Sequence, residues 1–409
     1  MTVLDGTKVD GDRQFNQEAL NAEAAFSLNG HELINPDTNR GEIVSATIQE
    51  APFDYPEGVK LSEIRVSDPF VAADPEGYEL ITRHVEEVLE PIGHRLGIDP
   101  FSNRTEATSV EERNQLTTAW LSGENLYPLS VWRDNVPTAL ALDYLTNPDV
   151  GRKVVDPAGN VAFATPETAA HWRFVADAIG IRTRADAMAF LTSKFLSETR
   201  PGHNVEWLSL ASGTAEPSLL AGIEAMNEAA VKMKMTVADW DGRALKVVQG
   251  KADELGYEGH GGELVTLQQN ILDPNLPTIL AEKSGTELYD IVENMGFKEY
   301  LPQDGDTAAA FKGQALPQAS DFTRNAFKMV KPGGMLISGN MALPRPQLEF
   351  VFGAVDWPII NARTEEEVLR IYKAAGILDD PNALVTVHRV VEDKTGLRIY
   401  NIVTVEKLS

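Results

Sequence analysis

From residue 204 onwards the chain alternates short apolar runs with helical stretches, and this alternation limits the possible folds more than any other feature. Runs at 205–210, 235–239, 264–270, 288–293 and 335–339 read as strands, and the intervals 216–233, 244–255 and 321–329 read as helices. Strand–helix–strand repeats build a parallel sheet with right-handed crossovers and helices on its faces. The final stretch departs from that pattern. Residues 383–391 and 397–405 alternate apolar and polar positions and are joined by Glu392-Asp393-Lys394-Thr395-Gly396, the pattern of an antiparallel hairpin. The expected fold class is α/β: a doubly wound, mostly parallel seven-stranded sheet with a terminal antiparallel hairpin, preceded by a mainly helical N-terminal domain.

The region before residue 204 reads differently. Residues 1–65 are polar and rich in Asp, Asn, Gly and Pro. They read as an extended, partly disordered segment with one short hairpin at the alternating run 41–49. Residues 66–203 predict a mainly helical domain that caps a site or forms a homodimer contact. Tyr78, Leu80, Ile81, Val85, Val88 and Leu89 recur at helical spacing up to Pro91, which kinks or ends that helix. Further helices are expected at 109–122, 135–146, 165–178 and 183–197. Trp120, Tyr127, Trp132 and Tyr144 read as core. Residues 204–409 form the third unit, the one that carries chemistry.

Charge and composition exclude several function classes. The 409 residues include 36 basic and 61 acidic ones, a formal net charge of −25. Such a field repels phosphate backbones and anionic lipid surfaces, so neither nucleic acid nor membrane is an expected partner. It also favours neutral or cationic small molecules over anionic ones. There is no cysteine, which removes disulfides, thiolate metal sites and thiol nucleophiles. No apolar run approaches the ~20 residues of a membrane span. The polar, acidic stretch 1–20 is unlike a secretory signal, so a cytoplasmic location is expected. His84 and His94 lie ten residues apart across Pro91, without helical metal spacing, and read as surface or packing residues. His203 precedes the first strand, His260 lies in a Gly-rich loop, and His388 reads as structural. No metal site is expected.

In open parallel sheets, ligands sit beyond the carboxyl ends of the strands. The segment Ala211-Ser212-Gly213-Thr214-Ala215-Glu216 follows the first strand, with small residues that permit close approach and a helix N-terminus behind them. Asp239, followed by Trp240, closes the second strand and can accept both hydroxyls of a ribose, with Asp241 as the alternative. Gln269, Asn270 and Ile271 follow the third strand and suit an adenine amino group and ring face. Glu293 and Asn294 follow the fourth.

This ordered set resembles the class I S-adenosylmethionine-dependent methyltransferases over residues 204–409. The segment 208–215, Leu-Ser-Leu-Ala-Ser-Gly-Thr-Ala, is similar to the family's first motif, an acidic strand running into a Gly-x-Gly-x-Gly loop. Asp239 stands where the family keeps its ribose-binding acid, and Asn270 matches the polar residue that reads adenine. Lys331-Pro332-Gly333-Gly334-Met335-Leu336 resembles the turn before the fifth strand, and the closing hairpin matches as well. Ser209 replaces the acid of the first motif, Ala211 and Ala215 replace two of its glycines, and the interval from Gly213 to Asp239 is 26 residues.

The resemblance implies S-adenosylmethionine as cofactor, with S-adenosylhomocysteine as its product. It implies cofactor contacts at Ala211, Ser212, Gly213, Thr214, Glu216, Asp239, Trp240, Asn270 and Ile271, with Glu293 and Asn294 toward the methionine end. It places Asn340, Arg345 and Trp357 among acceptor contacts, because segments after the fourth and fifth strands line that pocket in the family. The implied activity is O- or N-methylation of a small molecule by in-line displacement, with no catalytic residue marked. Two alternatives remain open: methylation of a protein or peptide, and a non-catalytic binding protein whose first motif has decayed. A nicotinamide dinucleotide is disfavoured by the lack of Gly-x-Gly-x-x-Gly.

Overall fold

The computed structural model describes residues 40–49, 55–89, 142, 145–148, 153–155, 161–163, 166–211, 213–303, 310–311, 314–348, 350–351 and 360–408. Its main strands are β1 (Glu42–Gln49), β2 (Lys60–Ser67), β3 (Asn204–Leu210), β4 (Lys232–Asp239), β5 (Gly262–Gln268), β6 (Tyr289–Met295), β7 (Val330–Met341), β8 (Ala383–Glu392) and β9 (Tyr400–Lys407). The helices are α1 (Pro69–Ala73), α2 (Pro75–His84), α3 (Pro166–Phe174), α4 (Ala176–Thr199), α5 (Glu216–Ala229), α6 (Gly242–Glu254), α7 (Leu276–Ser284), α8 (Ala319–Lys328) and α9 (Glu365–Ala374).

One sheet holds all nine strands, in the order β1-β2-β8-β9-β7-β6-β3-β4-β5. Strands β3 to β7 are mutually parallel, while β9 runs antiparallel between β7 and β8. The expected parallel core and closing hairpin are both present. The expected count of seven strands is corrected to nine. Strand β2 joins parallel to β8, and β1 pairs antiparallel with β2 at the edge. The boundary expected at 65/66 therefore falls inside a strand of the main sheet. Its signal was present in the sequence as Ile64 and Val66, both fully buried and two apart, within an otherwise polar segment.

Alternation along the strands divides the apolar side chains between the two faces. Trp207, Ile291 and Ile337 face Met188 of α4, Leu219 of α5 and Val248 of α6. Their chain neighbours Leu208, Val292 and Leu336 face Leu280 of α7, Phe322 of α8 and Val368 of α9. A third cluster joins Phe70, Trp172, Phe174 and Ile179 to Met341 and Tyr400 at the ends of β7 and β9. The first part of α4 thus closes one end of the sheet.

Two local expectations change. Residues 331–334, read as a turn, lie within β7 as an irregularity of its register with β6, between Val330 and Met335, and Gly333 takes φ +73° there. The helix read up to Pro91 is α2, followed by one π-helical turn at Val85–Leu89. Trp120, Tyr127, Trp132, Tyr144, His94 and most of the expected helices between 90 and 152 lie outside the described residues. Among the described residues, no helix is long and apolar enough to cross a membrane.

Candidate functional site

The carboxyl ends of β3 to β7 share one edge of the sheet, so the segments that follow them converge there. Between β3 and α5 the backbone passes through three left-handed residues at alternate positions: Ala211 at φ +52°, Gly213 at +60° and Ala215 at +50°. For alanine this conformation costs about 1–2 kcal/mol per residue. The Ala211 N–H donates to the Ala238 carbonyl at 3.0 Å, which holds the loop against β4. A Cβ on Gly213 would lie 2.9 Å from Leu142 Cδ1. Ala211 and Ala215, where the resemblance expects glycine, share the left-handed conformation of Gly213. Local backbone held against residue preference clusters at ligand sites.

The chain resembles the class I S-adenosylmethionine-dependent methyltransferases in fold. No family model and no curated protein matches it. Among solved structures it is similar to the CMeT domain of citrinin polyketide synthase, with 14% identity, 80% of this chain and 88% of that chain covered, and a TM-score of 0.44. An O-methyltransferase family protein from Burkholderia thailandensis matches at 14% identity over 74% of each chain, with a TM-score of 0.38. The O-methyltransferase TomG from Streptomyces achromogenes matches at 15% identity over 55% of this chain and 81% of that one, with a TM-score of 0.34.

A carboxyl group from the neighbouring strand meets Ser209. Ser209 stands opposite Glu293 in the β3–β6 register, and its hydroxyl donates to Glu293 Oε2. The Ser218 hydroxyl of α5 donates to the same oxygen at 2.9 Å. Glu293 is 2% exposed, and burial pushes its pKa above the ordinary carboxylate range. A carboxyl group therefore lies against the motif position, carried by β6 rather than β3. On the opposite face, Asn294 Nδ2 donates to the Leu210 carbonyl at 3.0 Å, and Asn294 Oδ1 is buried without a hydrogen-bond partner.

Geometry separates the two aspartates after β4. Asp241 caps α6 through the Arg243 N–H at 2.9 Å and pairs with the Arg243 guanidinium at 2.8 Å, so it is occupied. Asp239 is buried at the strand end, where the Asp241 N–H donates to Oδ1 at 2.9 Å and burial raises its pKa. Trp240 is 47% exposed, and its carbonyl accepts Gln268 Nε2 at 3.1 Å. Asn270 is exposed and closes its own turn through the Leu272 N–H at 3.0 Å, while Ile271 packs into the core beside Leu208 and Leu210. Thr214 is buried, and the Glu216 carboxylate is held by Lys251 Nζ at 3.4 Å and Asn147 Nδ2 at 3.2 Å. Ser212 and Trp357 lie outside the described residues.

The structure ties Asn340 and Arg345 to protein partners. Asn340 Oδ1 accepts Arg363 Nη1 at 2.9 Å, and its amide donates to the Met341 carbonyl at 2.8 Å. Arg345 forks onto Asp177 of α4 at 2.8 and 2.5 Å. His388 is buried, its Nε2 lies 2.9 Å from Thr404 Oγ1, and burial pushes its pKa down to about 4. No group of His, Asp and Glu suited to a metal ion occurs among the described residues.

Sequence reasoning passed over a buried ionisable cluster just beyond Asn294. Lys298 is 1% exposed; its Nζ donates to Ser338 Oγ at 2.9 Å and Tyr372 Oη at 3.0 Å. Burial, and then the Arg363 charge, push its pKa down to about 7. The neighbouring Glu299 is pushed up to about 7 by burial, against the pull of Arg184, Arg363 and Arg345, and it accepts the Met341 N–H at 2.7 Å. A small cavity is lined by Asn294, Lys298, Phe322, Thr323, Leu336 and Ser338. Adjacent Lys and Glu in a loop give no burial signal in a sequence; only Gly296, at φ +105°, marked the segment as unusual.

Proposed function

We propose that this chain transfers a methyl group from S-adenosylmethionine to a small-molecule acceptor. The observation that carries the reading is the left-handed series Ala211, Gly213 and Ala215 at the end of β3, with Glu293 set against Ser209 beside it and Asp239 at the end of β4. Two alanines held in left-handed backbone argue against a decayed loop, because an idle loop would relax. In this reading the small residues 211–215 admit the donor's close approach, Asp239 accepts its ribose hydroxyls, and the segment Asn270–Ile271 after β5 meets its adenine. Glu293, beside Ser209 and Ser218, offers a carboxyl oxygen for an amino group. When bound, S-adenosylmethionine supplies a methyl group on a positively charged sulfur.

The protein's contribution is chiefly positional. It must hold acceptor and donor collinear and exclude water, which accounts for large rate effects without a covalent step. A base matters only where the acceptor must lose a proton, and Lys298, whose amine can gain or lose a proton near neutral pH, lies beside Asn294 for that role. Calorimetric titration with S-adenosylmethionine and S-adenosylhomocysteine tests the reading. Micromolar binding that weakens at least tenfold in Asp239→Ala supports it. Absence of binding to folded wild-type protein at millimolar ligand refutes it.

A further inference from the structure

Among the described residues, four arginines lie buried around the ends of β6, β7 and β9, and three of them donate to protein acceptors. Arg182 pairs with Asp68 at 2.7 and 3.3 Å and also donates to the carbonyls of Leu145, Trp172 and Arg173. Arg345 forks onto Asp177. Arg363 donates to the carbonyls of Lys298 and Leu301 and to Asn340 Oδ1. The fourth is Arg184 of α4, 8% exposed, which has no hydrogen bond or ion pair among the described residues. Its guanidinium carbon lies 4.2 Å from the centroid of the Tyr400 ring.

A guanidinium stays charged and carries five N–H donors. None of its nitrogens is among the fully buried unpartnered atoms, so the head is open to a ligand at the strand ends, where aromatic contact replaces only part of its hydration. Two buried carboxyl groups feel its charge but do not pair with it. Glu293 is taken by Ser209 and Ser218, Glu299 accepts the Met341 N–H, and both stand beyond ion-pair distance from Arg184. Two glycines make room for it at the carboxyl ends of adjacent strands. A Cβ on Gly296 would lie 2.8 Å from Arg184 Nη1, and one on Gly339 would lie 3.3 Å from its Cδ. The side chain is thus led to the edge where β6 and β7 end, on the acceptor side of Glu293 and away from the β4 and β5 ends that suit adenosine.

We propose that Arg184 binds a carboxylate presented at the ends of β6 and β7, and that this carboxylate belongs to the methyl acceptor. The geometry of the fork matches a planar carboxylate, with two parallel N–H···O bonds. The source of the carboxylate rests on the methyl-transfer reading; the need of Arg184 for an anion does not. The inference reverses the expectation from net charge. The surface as a whole is acidic, yet Arg184 stands here near Glu293 and Glu299, whose charged forms burial disfavours.

The test is calorimetric titration of the full chain with benzoate and with its uncharged analogue benzamide, both with and without saturating S-adenosylhomocysteine. Wild type is expected to prefer benzoate at least tenfold. Arg184→Gln should erase that preference, Arg184→Lys should keep part of it, and S-adenosylhomocysteine should bind within threefold in each variant. Equal binding of benzoate and benzamide to wild type overturns the proposal, whether or not the variants fold. The donor's own carboxylate is the competing source. If Arg184→Gln weakens S-adenosylhomocysteine tenfold but leaves 5′-methylthioadenosine, which lacks the amino-acid end, unchanged, the acceptor assignment falls. Failure of wild type to bind S-adenosylhomocysteine refutes the methyl-transfer reading instead, while the benzoate preference without it still decides the role of Arg184.

Discussion

Ala211 and Ala215 differ in what their left-handed backbones leave free to change. Ala215 is fully buried, so removing its methyl would open a void, whereas Ala211 is only partly buried against the core. Ala211→Gly relieves backbone strain with little loss of packing, and should stabilise the fold by about 0.5–1 kcal/mol. Urea midpoints would show it, and a lowered midpoint would refute the strain. Lys298 gives a pH-dependent case. Its folded pKa lies near 7, below the 10.5 of a free lysine. Below about pH 7 the folded state must hold the charged amine and is destabilised in full; from there to about 10.5 the unfolded chain binds the extra proton, so stability rises with pH. Lys298→Met removes this penalty. The variant should exceed wild type at pH 6 by a margin that shrinks toward pH 9, and a constant margin would contradict the placement of the amine. These residues also show what a sequence conveys. That Asp239 and the loop 211–216 stand at strand ends was legible, because the type and order of residues after each apolar run carry that signal. Glu293 was legible as a position but not as the partner of Ser209, since register between strands is set by packing. Arg184 and Lys298 were not legible at all: a charged residue in a helix or loop reads as solvated until the neighbouring elements cover it.

At the scale of elements, β3 to β6 and the closing hairpin followed from apolar periodicity, with ends shifted by a few residues. The helix read as 216–233 ends at Ala229 because Ala230 turns left-handed and the chain enters β4 at Lys232. Composition hid that start, because Lys232 and Lys234 alternate with buried Met233 and Met235. Helix α1 shows how tertiary contact supports a five-residue element too short to persist alone. Asp68 accepts the N–H groups of Phe70 and Val71 at 3.1 Å each while pairing with Arg182 of α4. Asp68→Asn keeps a capping oxygen but leaves a buried guanidinium without its counter-ion, which costs about 3–5 kcal/mol. A cap alone contributes about 1 kcal/mol. Chemical denaturation distinguishes the two: a loss no greater than that of a cap would mean that the ion pair is dispensable.

At the scale of the whole molecule, the net charge of −25 acts on every element together. Self-repulsion disfavours the compact state, and salt screens it, with a Debye length near 30 Å at about 0.01 M and near 3 Å at about 1 M. The melting temperature should rise with sodium chloride across that range; a fall would show that the buried ion pairs dominate the salt response. The sheet order carries a further consequence, for synthesis on the ribosome. Strand β2 is made well before its partner β8, with Lys60 beside Thr386, some 326 residues later. At about 5–20 residues per second that interval is roughly 16–65 s. Throughout it, Leu61, Ile64 and Val66 have no β8 to pair with, and the strand is a natural client for a chaperone that shields nascent apolar segments until the last hairpin emerges.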